Sequence, residues 1–126
     1  MNQNLNPIII FIIIRNKNFV YYIKMKLMNI EPTPANSEKK YIATFCECKG
    51  PSKCLPKDRK KILFGSKGSL TYANGASDLQ QQNYLKRHQV NEDWTKINPG
   101  SLSRYILWSK KTISQGITEF RKRFNC

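Results

Sequence analysis

The single histidine of the chain, His88, follows Arg87 and precedes Glu92 and Asp93. An imidazole beside a guanidinium and two carboxylates is a grouping that can move protons. One histidine excludes the two-His metal motifs. A nuclease of the ββα kind holds its histidine at a strand end, whereas His88 falls late in a helical stretch. The structural reading is therefore preferred: Trp94 packs, Glu92 pairs with Arg87, and His88 hydrogen-bonds at the helix end. A second grouping is Cys46-x-Cys48-x5-Cys54. Its thiols can hold zinc only if a fourth ligand joins, His88 or Cys126. The spacing is not that of a paired CxxC knuckle, so no metal is expected. Free cysteines on a loop are the preferred state, with a Cys48–Cys54 disulfide as the oxidised alternative.

Three further groupings speak to phosphate rather than to bond-making. Phe64-Gly65-Ser66-Lys67-Gly68 can turn backbone N–H groups and a lysine toward an anion. It lacks P-loop spacing, and a plain turn needing positive φ is the preferred reading. Ser103-Arg104-Tyr105-Ile106-Leu107-Trp108, followed by Lys110 and Lys111, sets aromatic rings beside cations as strand-stacking surfaces do. These aromatics also fall on an apolar face, which favours the core for Tyr105 and Trp108. Basic groups cluster at Lys57, Arg59, Lys60 and Lys61 and again at Arg121, Lys122 and Arg123.

Charge is the dominant property of the whole chain. Lys and Arg number 22 against 8 Asp and Glu, a formal net charge of +14 over 126 residues. Such an excess attracts polyanions and resists compaction by self-repulsion. The absence of a nucleophile motif, a second histidine or a clustered set of carboxylates argues against an enzyme, and no cofactor or small-molecule substrate is expected. The expectation is a nucleic-acid-binding protein, DNA more than RNA, with Lys60, Lys61, Lys67, Arg87, Arg104, Arg121, Lys122 and Arg123 contacting the backbone. The alternative is a structural or cement protein on an acidic partner.

The elements that must carry these groups are legible in outline. Residues 1–30 are dominated by Asn, Ile, Lys, Phe and Tyr, whose codons are rich in A and T, and Met25 and Met28 are each a possible start. The apolar runs Ile8–Ile14 and Phe19–Ile23 are split by Arg15 and Lys17, which weakens a membrane anchor. Residues 31–39 (EPTPANSEK) read as a linker, because Pro32 and Pro34 interrupt regular structure. Residues 40–126 form the domain. Tyr41–Cys46 and Lys60–Phe64 read as two strands of an antiparallel hairpin, with a possible third short strand ending at Tyr72. Ser77 or Asp78 caps a helix to about Gln89, and Asn98-Pro99-Gly100 breaks the chain. A short helix follows from Ser101 through Trp108. The last helix begins near Thr112, with Ile113, Ile117, Phe120 and Phe124 as one stripe. The fold class is α+β: an N-terminal β-hairpin or small antiparallel sheet packed by about three C-terminal helices.

The runs Phe64–Gly68, Tyr84-Leu85 with Arg87-His88, Asn91-Glu92 with Trp94, Ser103-Arg104 with Leu107-Trp108, and Lys122–Phe124 together resemble a small family of basic proteins from giant DNA viruses, of the mimivirus and phycodnavirus kind. The resemblance covers roughly residues 40–125, anchored on RHxxNEDW. It implies a setting, the virion or the viral factory in the host cytoplasm, and no assigned activity. The Cys-bearing connection and Asn74-Gly75-Ala76 depart from that pattern.

Overall fold

The computed structural model describes residues 24–48 and 54–125. The Ile8–Ile14 run, most of the Cys-bearing connection and Cys126 lie outside them. Three antiparallel strands form one sheet in chain order: β1 (Lys24–Pro32), β2 (Lys39–Cys48) and β3 (Arg59–Ser66). Three helical segments follow. They are α1 (Asp78–His88), α2 (Pro99–Leu102) continuing into a π turn over Ser103–Leu107, and α3 (Ile113–Phe124). The α+β architecture read from the sequence is thus the architecture observed.

The third strand is not where the sequence placed it. The segment before Tyr72 is irregular and ends in a 3-10 turn, Tyr72–Asn74. The extra strand is β1, drawn from the A/T-codon segment and the start of the supposed linker. Pro32 closes an edge strand, where a missing N–H interrupts no ladder. The rest of the linker is the β1–β2 turn. There the Thr33 hydroxyl donates to the Lys39 carbonyl at 2.6 Å, and the Ser37 N–H to the Pro34 carbonyl at 3.0 Å. The pattern concealed β1 because Leu27 and Ile30 both turn toward the core although three residues apart. A bulge between Leu27 and Asn29 absorbs Met28 and restores the alternation.

One sheet face carries Leu27, Ala43, Phe45 and Phe64, each at most 1% exposed. Against it pack Leu102, Tyr105, Ile106 and Leu107 from α2 and the π turn, and Phe120 from α3. Ile113, Ile117 and Phe124 extend the α3 stripe along this core as its spacing requires. The α3 backbone passes so close to the π turn that a Cβ at Gly116 would overlap the Ile106 carbonyl. Each helix starts on the cap its sequence offers. Ser77 Oγ accepts from Gln80 N–H, Asn98 Oδ1 from Ser101 N–H, and Thr112 Oγ1 from Gln115 N–H. Asn98-Pro99-Gly100 therefore both breaks the chain and starts α2, with Pro99 in the first turn, where it sacrifices no hydrogen bond.

The cysteines depart from the free-thiol expectation. Cys46 is joined to Cys54 in a disulfide, so neither the Cys48–Cys54 pairing nor a zinc site using those two sulfurs is formed. Cys46 lies in β2, as its strand reading requires, and is 1% exposed. Beyond Cys54 the 3-10 turn Pro56–Asp58 leads directly into β3, whose Arg59 is in register with Cys46.

Candidate functional site

The face that α1 turns inward is polar. Gln80, Asn83, Tyr84, Arg87 and His88 recur at helical spacing on one side, and only Tyr84 among the α1 residues is buried. An amphipathic helix ordinarily presents an apolar stripe there. This stripe lines a cleft of about 590 Å³, completed by Lys39 of β2, Ser66 of β3, Ser69 and Thr71 beyond it, and Ser103, Leu107 and Trp108 of the π turn. Tyr84 anchors the helix. Its ring stacks on Trp108 at 4.2 Å and on His88 at 4.0 Å, so three rings form a column along the cleft. Gln81 adds a second tie, its side-chain amide donating to the Trp108 carbonyl at 2.8 Å. Burial, with the nearby Glu92 charge adding to it, pushes the Tyr84 hydroxyl up to about 12.

Glu92 does not pair with Arg87 as the sequence reading expects. Its Oε2 lies 2.7 Å from His88 Nδ1, and its Oε1 accepts from the Trp94 indole N–H, also at 2.7 Å. A carboxylate is acceptor only, so Nδ1 carries the proton in this contact, which turns Nε2 away from Glu92. Gly100 lies against this carboxylate, and a Cβ there would stand 3.0 Å from Glu92 Oε1, so the carboxylate would have to shift by a few tenths of an ångström. Both oxygens of the cleft's carboxylate are thereby engaged. The pairing was hidden in the sequence because Trp94 reads as a packing residue; its indole N–H is the group that selects the carboxylate orientation.

The residues expected to contact nucleic acid divide by environment. Arg87 reaches the cleft, and Lys60, Lys61 and Lys122 are exposed. Lys67 lies in the turn after β3, between Gly65 and Gly68, both at positive φ; its ammonium donates to the Pro34 carbonyl at 3.0 Å. Three arginines serve packing. Arg104 is half-buried, its guanidinium over the rings of Trp94 at 5.2 Å and Tyr105 at 4.8 Å, and burial lowers its pKa. Arg121 donates to the Leu27 carbonyl at 3.0 Å, tying α3 to β1. Arg123 lies over the Tyr105 ring at 4.8 Å and within 3.8 Å of Glu119. Tyr105 takes the core position preferred for it, whereas Trp108 is half-buried, packed against the core and lining the cleft.

Strand register assembles a cation group that spacing alone did not reveal. Lys26, Cys46 and Arg59 form one row across the three strands, and Asn29, Thr44 and Lys61 the next. These side chains lie on the face opposite Leu27 and Phe45, because alternate residues of a strand point to opposite sides. Each edge strand therefore adds cations to one end of the outer face, and the exposed Lys57 enters at the same end through the 3-10 turn. Lys60, by contrast, is in register with Phe45 on the other face of the sheet, where it is exposed. Leu63, further along the outer face, is 43% exposed. Lys26 escapes the sequence reading because it lies in the segment set outside the domain.

Among the described residues, no group of three His, Cys, Asp or Glu side chains is placed to hold a metal ion, and no helix is long and apolar enough to cross a membrane. A family of unknown function (DUF5754) matches residues 32–88, from the last residue of β1 to the last of α1. The chain is similar to that family over the side of the cleft built by Lys39, Ser66, Arg87 and His88; Glu92, Trp94 and the π turn fall beyond the match. No curated protein and no solved structure matches the chain.

Proposed function

We propose that this protein binds nucleic acid without processing it, through the phosphate backbone, on the outer face of its sheet. The observation that carries this reading is the placement of Lys26, Arg59 and Lys61, from both edge strands, at one end of that face, where they flank Cys46, buried in its disulfide with Cys54. Neighbouring strands lie about 4.8 Å apart, so the two edge strands stand about 10 Å apart, and Arg59 and Lys61 are about 7 Å apart along β3. A duplex strand carries a charge about every 3.4 Å, so this array spans several phosphates. Among the described residues, Lys96, Lys111 and Arg123 are the Lys and Arg side chains within 4 Å of a carboxylate, which leaves the sheet cations available to another anion. The resemblance to proteins of giant DNA viruses supports a viral genome as the partner, in the virion or the factory.

The test is a gel shift on duplex DNA across a salt series, with the chain compared to the triple variant K26A/R59A/K61A. Affinity falls as salt rises, and each phosphate that the variant no longer neutralises reduces the slope of log K against log salt by about 0.9. Affinity insensitive to salt, or a triple variant with an unchanged slope, overturns the reading.

A further inference from the structure

We propose that the cleft between α1 and the β3 end of the sheet is a second site, separate from the sheet face, and that it takes a phosphate group. The first reason is the inversion of α1. Its inward stripe offers an arginine, an imidazole and two amides where packing alone calls for aliphatic side chains. The helix is held by the Tyr84 column and Gln81 instead, which leaves the stripe to solvent or a ligand. The second reason is charge. Lys39 and Arg87 enter from different elements, and among the described residues neither has a carboxylate within 4 Å. The one carboxylate lining the cleft, Glu92, has both oxygens engaged by His88 and Trp94. The third is donor chemistry: Ser66, Ser69 and Ser103 supply hydroxyls around the same space. A guanidinium fork and an ammonium with surrounding hydroxyls suit a tetrahedral oxyanion. The volume lies in the range of sites for small ligands, which span roughly 300–1,000 Å³.

The experiment titrates the full chain, labelled with ¹⁵N, with inorganic phosphate, with adenosine monophosphate and with adenosine. The expected result is saturable shifts at Arg87, His88 and the Trp108 indole with a phosphate-bearing probe and none with adenosine. Phosphate and nucleotide binding alike assigns the free anion; tighter binding of the nucleotide assigns a phosphorylated compound. K39A/R87A, two exposed positions whose replacement leaves the core intact, weakens binding about ten- to a hundredfold. K26A/R59A/K61A leaves it unchanged. That pair of variants separates this site from the sheet face, since each proposal fails on its own variant. No saturable shift at millimolar phosphate or nucleotide, equal shifts with adenosine, or full affinity in K39A/R87A overturns the proposal.

Discussion

Two chains that differ by three residues, one starting at Met25 and one at Met28, test whether β1 carries part of the core. The shorter chain loses Leu27, which is 1% exposed and stands in register with Phe45 at the centre of the sheet. Removing a buried leucine side chain costs about 2–5 kcal/mol. It also loses the Leu27 carbonyl that accepts from Arg121, about 1 kcal/mol for a typical hydrogen bond, and the register pairs of Met25 and Lys26 with β2. The expected difference is therefore about 3–6 kcal/mol, against a total of about 5–15 kcal/mol for an ordinary domain. Urea unfolding followed by tryptophan fluorescence measures it, Trp94 and Trp108 both lying against the core. The Met25 chain should give a cooperative transition, and the Met28 chain a midpoint far lower or no transition at all. Equal midpoints would refute the assignment of Leu27 to the core and with it the three-stranded sheet.

Four further outcomes follow from the same geometry. Gly116→Ala drives a methyl into the Ile106 carbonyl and should cost about 1–3 kcal/mol in the same urea assay. Cys54→Ser opens a loop of sequence separation 8 and should lower stability by about 2–3 kcal/mol on the chain-entropy scale, with no further loss when reductant is added. Arg121→Met should destabilise by about 1 kcal/mol while the salt slope of DNA binding stays unchanged, because that guanidinium holds β1. The Tyr84 hydroxyl is raised from an ordinary value near 10 to about 12 by burial, so the folded state holds its proton more tightly than the unfolded chain. That contribution is complete below pH 10 and is lost as pH rises through 12; Tyr84→Phe should flatten this limb of a thermal-melt pH series.

Local signals in the sequence determined much of this protein. The caps Ser77 and Thr112 each bond a backbone N–H three residues on, so those helix starts needed no tertiary information; Asn98 caps α2 in the same way, starting it at Pro99, two residues before the Ser101 start read from the sequence. The stripe Ile113, Ile117, Phe120 and Phe124 packs where a 3.6-residue period puts it. The strands β2 and β3 were legible from their β-branched and aromatic residues, and the basic balance is fixed by composition. Tertiary structure decided what pairing and packing decide. A one-residue bulge at Met28 hid β1, because a period-two pattern cannot survive an inserted residue. The Cys46–Cys54 pairing is a tertiary fact, since the spacing of three thiols does not say which two will meet. Arg104, Arg121 and Arg123 look like surface cations in one dimension and are occupied by rings and a carbonyl in three. Strand register, which sequence spacing cannot state, gathers Lys26, Arg59 and Lys61. His88 itself was visible from the start. Its orientation by Glu92, and the orientation of Glu92 by Trp94, exist only in the folded chain, where the segment from α1 to α2 brings the three side chains together.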